Sequence, residues 1–291
     1  MYGCFKFKKL IIALICVAIT VSCFFTVKNF QVNALPAVED NGIFLPIIMY
    51  HSVLKDVNKS GKFIVTPQTL EEDLKYLEEN GYSTIFVKDL VDYVYNNKKL
   101  PKKPVILTFD DGYYNNETYV LPLLEKYDMK AVISVVGSFT DRFSQQDDHQ
   151  PAYSHLTWDD ICELSESGYV EIGNHTYDMH NNNTRNGCGK KACESVEEYE
   201  KCLISDVSAL QNKLLEKVGE VPVTFTYPYG FISRESIPIL KNLGIKATLT
   251  CYEKPNYITK NPNTLFGLNR YNRPSGISTE DFMKKVLLNN N

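Results

Sequence analysis

The chain has 291 residues, 44% of them hydrophobic, which is enough to bury the core of one large α/β domain or two small ones. Its formal net charge of −4 and its pI near 5.8 provide no general attraction for nucleic acid. Composition therefore excludes a strongly basic nucleic-acid-binding protein, and more specific functions must be inferred from motifs.

The first 28 residues have the pattern of a targeting segment. Three lysines precede an uncharged run, residues 10–27, and Lys28 follows it. A helix of that length spans about 27 Å, close to the thickness of a bilayer core. Positive charge before the run predicts that the rest of the chain lies outside the cytoplasm, anchored at the cell surface or secreted. We predict a signal peptide or membrane anchor at residues 1–28, a linker at 29–43 and one domain at 44–291.

Five cysteines lie in the part predicted to be extracytoplasmic. An odd number leaves at least one thiol unpaired. Cys188 and Cys193 flank a short glycine-containing stretch and are the best candidates for a local disulfide. No Cys-x-x-Cys pair is present, so a cysteine-based zinc site is not predicted.

Apolar runs alternate with helical patterns along the remaining chain. The predicted strands cover residues 46–51, 82–87, 104–109, 130–136, 169–173, 223–227, 245–250 and 266–271. The predicted helices follow the caps Thr66, Thr157 and Ser195 and also cover residues 88–96, 121–124, 233–243 and 278–288. Residues 137–154 are polar and are predicted to form an exposed loop.

This alternation predicts parallel strands joined by crossover helices, in a barrel or an open sheet. No glycine-rich phosphate-binding motif follows the first strand, so a nucleotide-binding sheet is not supported. In barrels, the chemistry lies at the C-terminal ends of the strands. His51, the pair Asp110 and Asp111, His175 and the segment 227–229 all follow predicted strands. We therefore expect them at one end of the fold.

The sequence Thr-Phe-Asp-Asp-Gly at residues 108–112 ends a strongly apolar strand. Neighbouring residues on an extended chain point to opposite sides. Asp110 and Asp111 can therefore have different roles, one binding a cation and the other accepting protons. Considered alone, the motif is equally consistent with a strand followed by an Asp-Gly turn.

His175 and His180 are separated by four residues. That spacing places them about 140° apart on a helix and on opposite faces of a strand. They can converge only if the chain leaves the strand and curls. An isolated histidine pair in a polar loop is commonly solvated, whereas two imidazoles with a strand-end carboxylate are a usual set for a hydrolytic metal such as zinc.

Three motifs in this order resemble the polysaccharide deacetylases that contain the NodB homology domain. They are Thr-Phe-Asp-Asp-Gly at 108–112, His-Thr-Tyr-Asp-Met-His at 175–180 and Tyr-Pro-Tyr-Gly at 227–230. The resemblance covers roughly residues 44–290. It implies an α/β fold, a distorted (β/α) barrel with seven or eight strands, as a single catalytic domain. It also implies metal-dependent removal of N-acetyl groups from N-acetylglucosamine polymers, and the longer histidine spacing resembles the branch of poly-β-1,6-N-acetylglucosamine deacetylases.

The resemblance assigns roles residue by residue. Asp110 matches the catalytic base, and Asp111, His175 and His180 match the ligands of a divalent metal. That metal is expected to be Zn²⁺, with Co²⁺ or Ni²⁺ as alternatives. Tyr229 matches the residue whose backbone N–H helps to form the oxyanion hole.

Two departures from the family pattern concern the remaining site residues. Thr226 stands where other members have an arginine that orients the base. Arg270 is a possible substitute, although a surface arginine is an equally consistent interpretation. Together with Tyr227 and Tyr229, Arg270 is expected at the bound substrate.

The second departure is the absence of the C-terminal Leu-x-His motif, the family's source of the general acid. The sequence Ile-Met-Tyr-His at residues 48–51 resembles that motif moved to the N-terminus. His51 is therefore expected to protonate the leaving amine, and a core histidine is the alternative. His155, which precedes a helix cap, is expected to be structural.

The leading hypothesis is an exported metal-dependent deacetylase of an N-acetylglucosamine polysaccharide. Peptidoglycan, chitin oligomers and acetylated xylan stay open as substrates. A carbohydrate-binding relative that has lost turnover is the alternative from another class. A membrane-anchored structural protein would leave the polar strand ends unexplained. The expected partners are the polysaccharide and a membrane, through the N-terminal segment, with no nucleic acid and no protein partner.

Overall fold

The computed structural model describes residues 42–181 and 185–287. The strands are β1 (Ile43–Phe44), β2 (Ile47–Tyr50), β3 (Ser52–Val53), β4 (Ile64–Val65), β5 (Ser83–Thr84), β6 (Pro104–Phe109), β7 (Ala131–Val135), β8 (Val170–Asn174), β9 (Thr224–Thr226), β10 (Ala247–Leu249), β11 (Tyr257–Ile258), β12 (Phe266–Leu268) and β13 (Tyr271–Asn272). The α-helices are α1 (Pro67–Glu79), α2 (Val87–Asn96), α3 (Leu121–Lys126), α4 (Gly137–Gln146), α5 (Trp158–Glu166), α6 (Val196–Val218), α7 (Ser236–Asn242) and α8 (Thr279–Leu287).

The targeting segment predicted at residues 1–28 lies outside the described residues, as does nearly all of the linker predicted at 29–43. Among the residues that are described, no helix combines the length and the apolar character needed to cross a membrane.

The main sheet is a curved array of parallel strands. Its order is β12-β10-β9-β8-β7-β6-β2-β13, and β5 pairs with β6 beside that path. Every pairing in it is parallel. Eight strands on one curled path agree with the expected distorted (β/α) barrel. In the chain, only Asn269 and Arg270 separate β12 from β13, so this short link spans the seam between the two ends of the sheet.

Strand β6 shows which side chains face the interior of the barrel and which face the helices. Val105, Leu107 and Phe109 pack in the core that the sheet shares with the outer helices. Ile106, from the opposite face, packs in a second core with residues of β2, β7 and β10. Because side chains alternate along a strand, Asp110 continues the inner face of Ile106 and lies at the end of the barrel interior.

A buried ion pair fixes the C-terminal segment to the first helix. Arg273 follows β13, and its Nε and Nη2 atoms donate to Asp73 of α1 at 2.8 and 3.1 Å. The Tyr50 hydroxyl donates to the same carboxylate at 2.9 Å. Arg273 and Asp73 are both fully buried, so removing either one would leave an uncompensated charge in the core.

Three local predictions are wrong. The single strand predicted at residues 266–271 is divided between β12 and β13, which lie at opposite ends of the main sheet. The loop predicted at residues 137–154 contains helix α4 in its first half. Its buried positions are only Gly137, Thr140 and Phe143, a stripe too polar to be recognised as helical. The predicted disulfide is also absent from the described residues: Cys188 is buried, Cys193 is exposed, and both are free thiols.

A buried carboxyl group links the stability of the barrel to pH. Glu171 of β8 is 3% exposed and accepts the Lys88 N–H at 2.9 Å and the Thr224 hydroxyl at 3.0 Å. Burial raises the pKa of Glu171 to about 7, against the opposing effect of these hydrogen bonds. The folded state therefore binds a proton that the unfolded state releases near pH 4.5.

We expect Glu171 to contribute a decrease of about 3 kcal/mol in the free energy of unfolding as pH rises from 4.5 to 7, because the folded state keeps the proton on this group in that window. Glu171→Gln keeps a similar shape and removes the titration, so this decrease should disappear from the variant. Urea unfolding of both proteins at a series of pH values measures the difference. Parallel pH profiles for the two proteins would contradict the assignment.

Candidate metal centre and catalytic cleft

Asp111, His175 and His180 come together at the C-terminal ends of β6 and β8. Their potential ligand atoms all lie within 4.8 Å of one another. Asp111 Oδ1 lies 3.0 Å from His180 Nε2 and 3.4 Å from His175 Nε2. The three predicted metal ligands therefore form one cluster, reached from two different strands.

The donor atoms of this cluster fit a divalent cation. His175 Nδ1 lies 2.8 Å from the carbonyl oxygen of Thr226. A carbonyl can only accept, so Nδ1 carries the proton of the neutral ring and Nε2 presents a lone pair. Neutral His175 thus cannot donate to Asp111, whose Oδ1 has no hydrogen-bond partner among the described residues. Two imidazoles and one carboxylate directed at a common point match the donor set of a catalytic zinc site.

Backbone conformation brings the ligands together. Asp111 and Thr176 have φ angles of 72° and 73°, in the left-handed region that residues other than glycine seldom adopt. At Thr176 the chain leaves the direction of β8 and curls. The spacing of His175 and His180 requires such a curl if the two side chains are to converge. Behind the cluster, His155 Nδ1 lies 2.9 Å from the carbonyl oxygen of Asp111 and thereby supports the turn.

Tyr229 stands beside the second histidine. Its hydroxyl lies 3.3 Å from His180 Nδ1, and the two ring centroids are 4.7 Å apart. A partner on Nδ1 is the usual means by which a protein orients the other ring nitrogen toward a metal. Tyr229 has a φ angle of 58° and is 43% exposed, so it forms part of the cleft rim.

Asp110 is held by Arg270 through two parallel hydrogen bonds. Nη1 and Nη2 each lie 2.7 Å from a different carboxylate oxygen, and both side chains are almost completely buried. The remaining donors of Arg270 contact the Thr250 carbonyl at 2.7 Å, the Thr108 hydroxyl at 3.1 Å and the Cys251 sulfur at 3.8 Å. Burial alone would raise the pKa of Asp110, but the Arg270 guanidinium outweighs it and holds that pKa below its ordinary value. Asp110 is therefore ionised at neutral pH.

Six of the eight predicted site residues line one cleft of about 650 Å³: His51, Asp110, Asp111, His175, His180 and Tyr229. The other two do not reach it. Tyr227 directly follows β9 and lies on the same outer face as Phe225. It is fully buried in the core beneath α6 and α7. Its hydroxyl lies 2.8 Å from Ser236 Oγ. Arg270 is buried behind Asp110. The expected substrate contacts of these two side chains are thus replaced by structural contacts.

His51 faces the cleft from the end of β2. Its ring packs against Phe63 at 4.7 Å between centroids, and its carbonyl accepts the Asn116 side-chain N–H at 3.0 Å. Its Nδ1 atom is buried and has no hydrogen-bond partner among the described residues. Burial lowers the pKa of His51, against the opposing charges of Asp110 and Asp111.

The sequence did not identify several residues around the cleft. Tyr113, Phe63 and Cys251 also line it. Tyr113 directly follows the Asp-Asp-Gly motif, and that adjacency was the available signal. Phe63 reaches His51 only because β3 and β4 pair in parallel, which sequence periodicity does not reveal.

The chain is similar in sequence to known polysaccharide deacetylases. A family model described as polysaccharide deacetylase matches residues 97–248, more than half of the chain. The chain is 29% identical over 216 residues to a poly-β-1,6-N-acetyl-D-glucosamine N-deacetylase of Escherichia coli K12, covering 68% of this chain and 32% of that protein. It is 23% identical over 219 residues to the protein of the same name from Staphylococcus aureus MRSA252, covering 75% of this chain and 70% of that protein. The chain thus spans about a third of the length of its E. coli relative.

A solved structure agrees with the fold. A de-N-acetylase from Aggregatibacter actinomycetemcomitans superposes with a TM-score of 0.70 at 25% sequence identity, and the match covers 82% of this chain and 100% of that one.

If Asp111, His175 and His180 bind the metal, His180→Ala should weaken Zn²⁺ binding by about 100-fold or more, since an outer-shell change alone costs about 10- to 100-fold. Asp110→Asn should bind Zn²⁺ as the wild type does, because Asp110 is paired with Arg270 and not with the cluster. Competition with a chromophoric chelator measures both affinities. Retention of wild-type affinity by His180→Ala would refute the ligand assignment.

Proposed function

This chain belongs to the polysaccharide deacetylase family, and we propose that it is a metal-dependent hydrolase that removes N-acetyl groups from an extracellular or cell-wall N-acetylglucosamine polysaccharide. One observation carries the proposal: the ionised Asp110, held by Arg270, lies in the same cleft as the cation-binding set. A base beside a cation is what hydrolysis of an amide requires. The names of the E. coli and S. aureus relatives favour a poly-β-1,6-linked polymer.

Asp111, His175 and His180 would hold a divalent cation, which would supply the Lewis acidity needed to polarise the acetyl carbonyl and to make the attacking water more acidic. Zn²⁺ suits this donor set, with Co²⁺ or Ni²⁺ as alternatives. Asp110 accepts the proton of that water. The two hydrogen bonds from Arg270 fix the plane of the carboxylate, so the base does not have to be oriented during the reaction.

We assign the remaining steps to Tyr229 and His51. The backbone N–H of Tyr229 donates to the developing oxyanion, in keeping with the left-handed turn that this residue makes at the cleft rim. His51 lies in the same cleft and protonates the leaving amine. Its buried Nδ1, which lacks a partner among the described residues, leaves the imidazole free for proton transfer.

We place the protein outside the cytoplasm, anchored in the membrane or secreted through the segment at residues 1–28, and we expect the polysaccharide to be its partner. The charge pattern of that segment supports this location.

Acetate release from oligomers tests the function. The purified full chain should release acetate from poly-β-1,6-N-acetylglucosamine oligomers faster than from chitin oligomers, and chelation followed by added Zn²⁺ or Co²⁺ should abolish and restore the release. Faster release from chitin, peptidoglycan or acetylated xylan would show that this polymer, and not the poly-β-1,6-linked one, is the preferred substrate. A folded, metal-loaded protein that binds these polymers without releasing acetate would be a carbohydrate-binding relative.

Variants of His51 test the general acid. An acid acts in its protonated form, so the rate should fall as pH rises through the pKa of His51, which burial lowers. His51→Ala should reduce kcat by about 100-fold or more and remove this decrease from the pH profile, with bound metal unchanged. An unchanged rate and profile would exclude His51.

A further inference from the structure

The segment that carries both metal-binding histidines is irregular, yet its peptide groups are held by distant parts of the chain. Strand β8 ends at Asn174, and Thr176 then turns with a φ angle of 73°. A loop that presents metal ligands must be fixed to within a fraction of an ångström. The groups that fix this one are therefore part of the metal centre.

Asp206 on helix α6 provides the main contact. Its Oδ1 accepts the N–H of Tyr177 at 2.7 Å, and its Oδ2 accepts the N–H of Asp178 at 2.8 Å. These residues lie 29 and 28 positions earlier in the chain. Both oxygens of one carboxylate thus hold two consecutive peptide groups, through charge-assisted hydrogen bonds that are stronger than neutral ones.

Helix α6 also contacts the other side of His175. The side-chain amide of Asn174 donates to the carbonyl of Val207 at 3.2 Å, and Asn174 Oδ1 accepts the Thr176 N–H at 2.8 Å. Residues 206 and 207 therefore hold the chain on both sides of His175, at Tyr177 and Asp178 after it and at Asn174 before it.

Helix α4 holds the carbonyl groups of the same segment. The Gly137 N–H donates to Thr176 O at 3.1 Å, and the Ser138 N–H donates to Tyr177 O at 2.7 Å. A Cβ atom on Gly137 would lie 2.5 Å from a ring carbon of Tyr177, so only glycine permits this approach. Among these contacts, Asp206 is the one side chain that holds two peptide groups of the segment between His175 and His180.

From these contacts we infer that Asp206 is a positioning residue for the metal centre: its carboxylate fixes the backbone between His175 and His180. This inference rests on the proposed function, because it concerns the same metal. Asp206 acts through Tyr177 and Asp178 and is not itself a ligand. It determines the direction in which the chain continues from Asp178 to His180.

Metal affinity in matched variants tests the inference. Asp206→Ala removes both acceptors, and Asp206→Asn removes one of them. Asp141→Asn is the control, because Asp141 accepts the side-chain hydroxyl of Tyr177 at 2.7 Å, as well as Trp158 Nε1 at 2.9 Å and Lys213 Nζ at 3.1 Å, but no backbone N–H of the histidine segment. Zn²⁺ affinity is measured by chelator competition on the full chain, at a temperature where circular dichroism shows every variant folded. The absorption spectrum of bound Co²⁺ reports the geometry of the ligands.

We expect Asp206→Ala to weaken Zn²⁺ binding by about 10- to 100-fold and to alter the Co²⁺ spectrum, the usual effect of losing an outer-shell contact. Asp206→Asn should have a smaller effect in the same direction, and Asp141→Asn should bind like the wild type. Equal affinities for the wild type and Asp206→Ala would overturn this inference alone. A wild-type protein that binds no metal would overturn the proposed function as well.

Discussion

The ion pair of Asp110 and Arg270 is the interaction on which both the fold and the site depend. Either charge alone in this dry interior would cost several kcal/mol, and the carboxylate would take up a proton. Paired through two hydrogen bonds, both remain charged. Because Arg270 belongs to the link between β12 and β13, the contact that keeps Asp110 ionised also fixes this link to the end of β6.

Two adjacent carboxylates acquire different chemistry from their surroundings. Asp110 points into the barrel and meets a guanidinium, whereas Asp111, turned by its positive φ angle, meets two imidazoles. Because neighbouring residues of a strand point in opposite directions, two consecutive residues can have these different surroundings. The two histidines lie on a segment that leaves its strand after Asn174. This segment is therefore held in place by helices α4 and α6.

The sequence predicted well what depends on local pattern. Apolar runs located the strands of the main sheet, except that one predicted strand, 266–271, overlaps both β12 and β13. Most of the polar residues predicted at the strand ends line one cleft. The predictions failed where contacts with residues distant in the chain determine the position of a side chain. Arg270 had two equally consistent interpretations because its partner lies 160 residues away. Tyr227 was expected at the substrate, but the outer face of β9 places it in the core. Helix α4 is too polar to be recognised, and the different burial of Cys188 and Cys193 has no local signature.

The seam of the barrel also couples the local stability of the fold to the charge of Asp110. The part of the chain after Asn269 contains β13 and α8 and is held to α1 by the Arg273–Asp73 pair. If these elements separated from the sheet in a local opening, Arg270 would leave with them and Asp110 would become a lone buried acid. Inactivation would then precede the loss of helical structure, and the C-terminal segment would be the place to stabilise first.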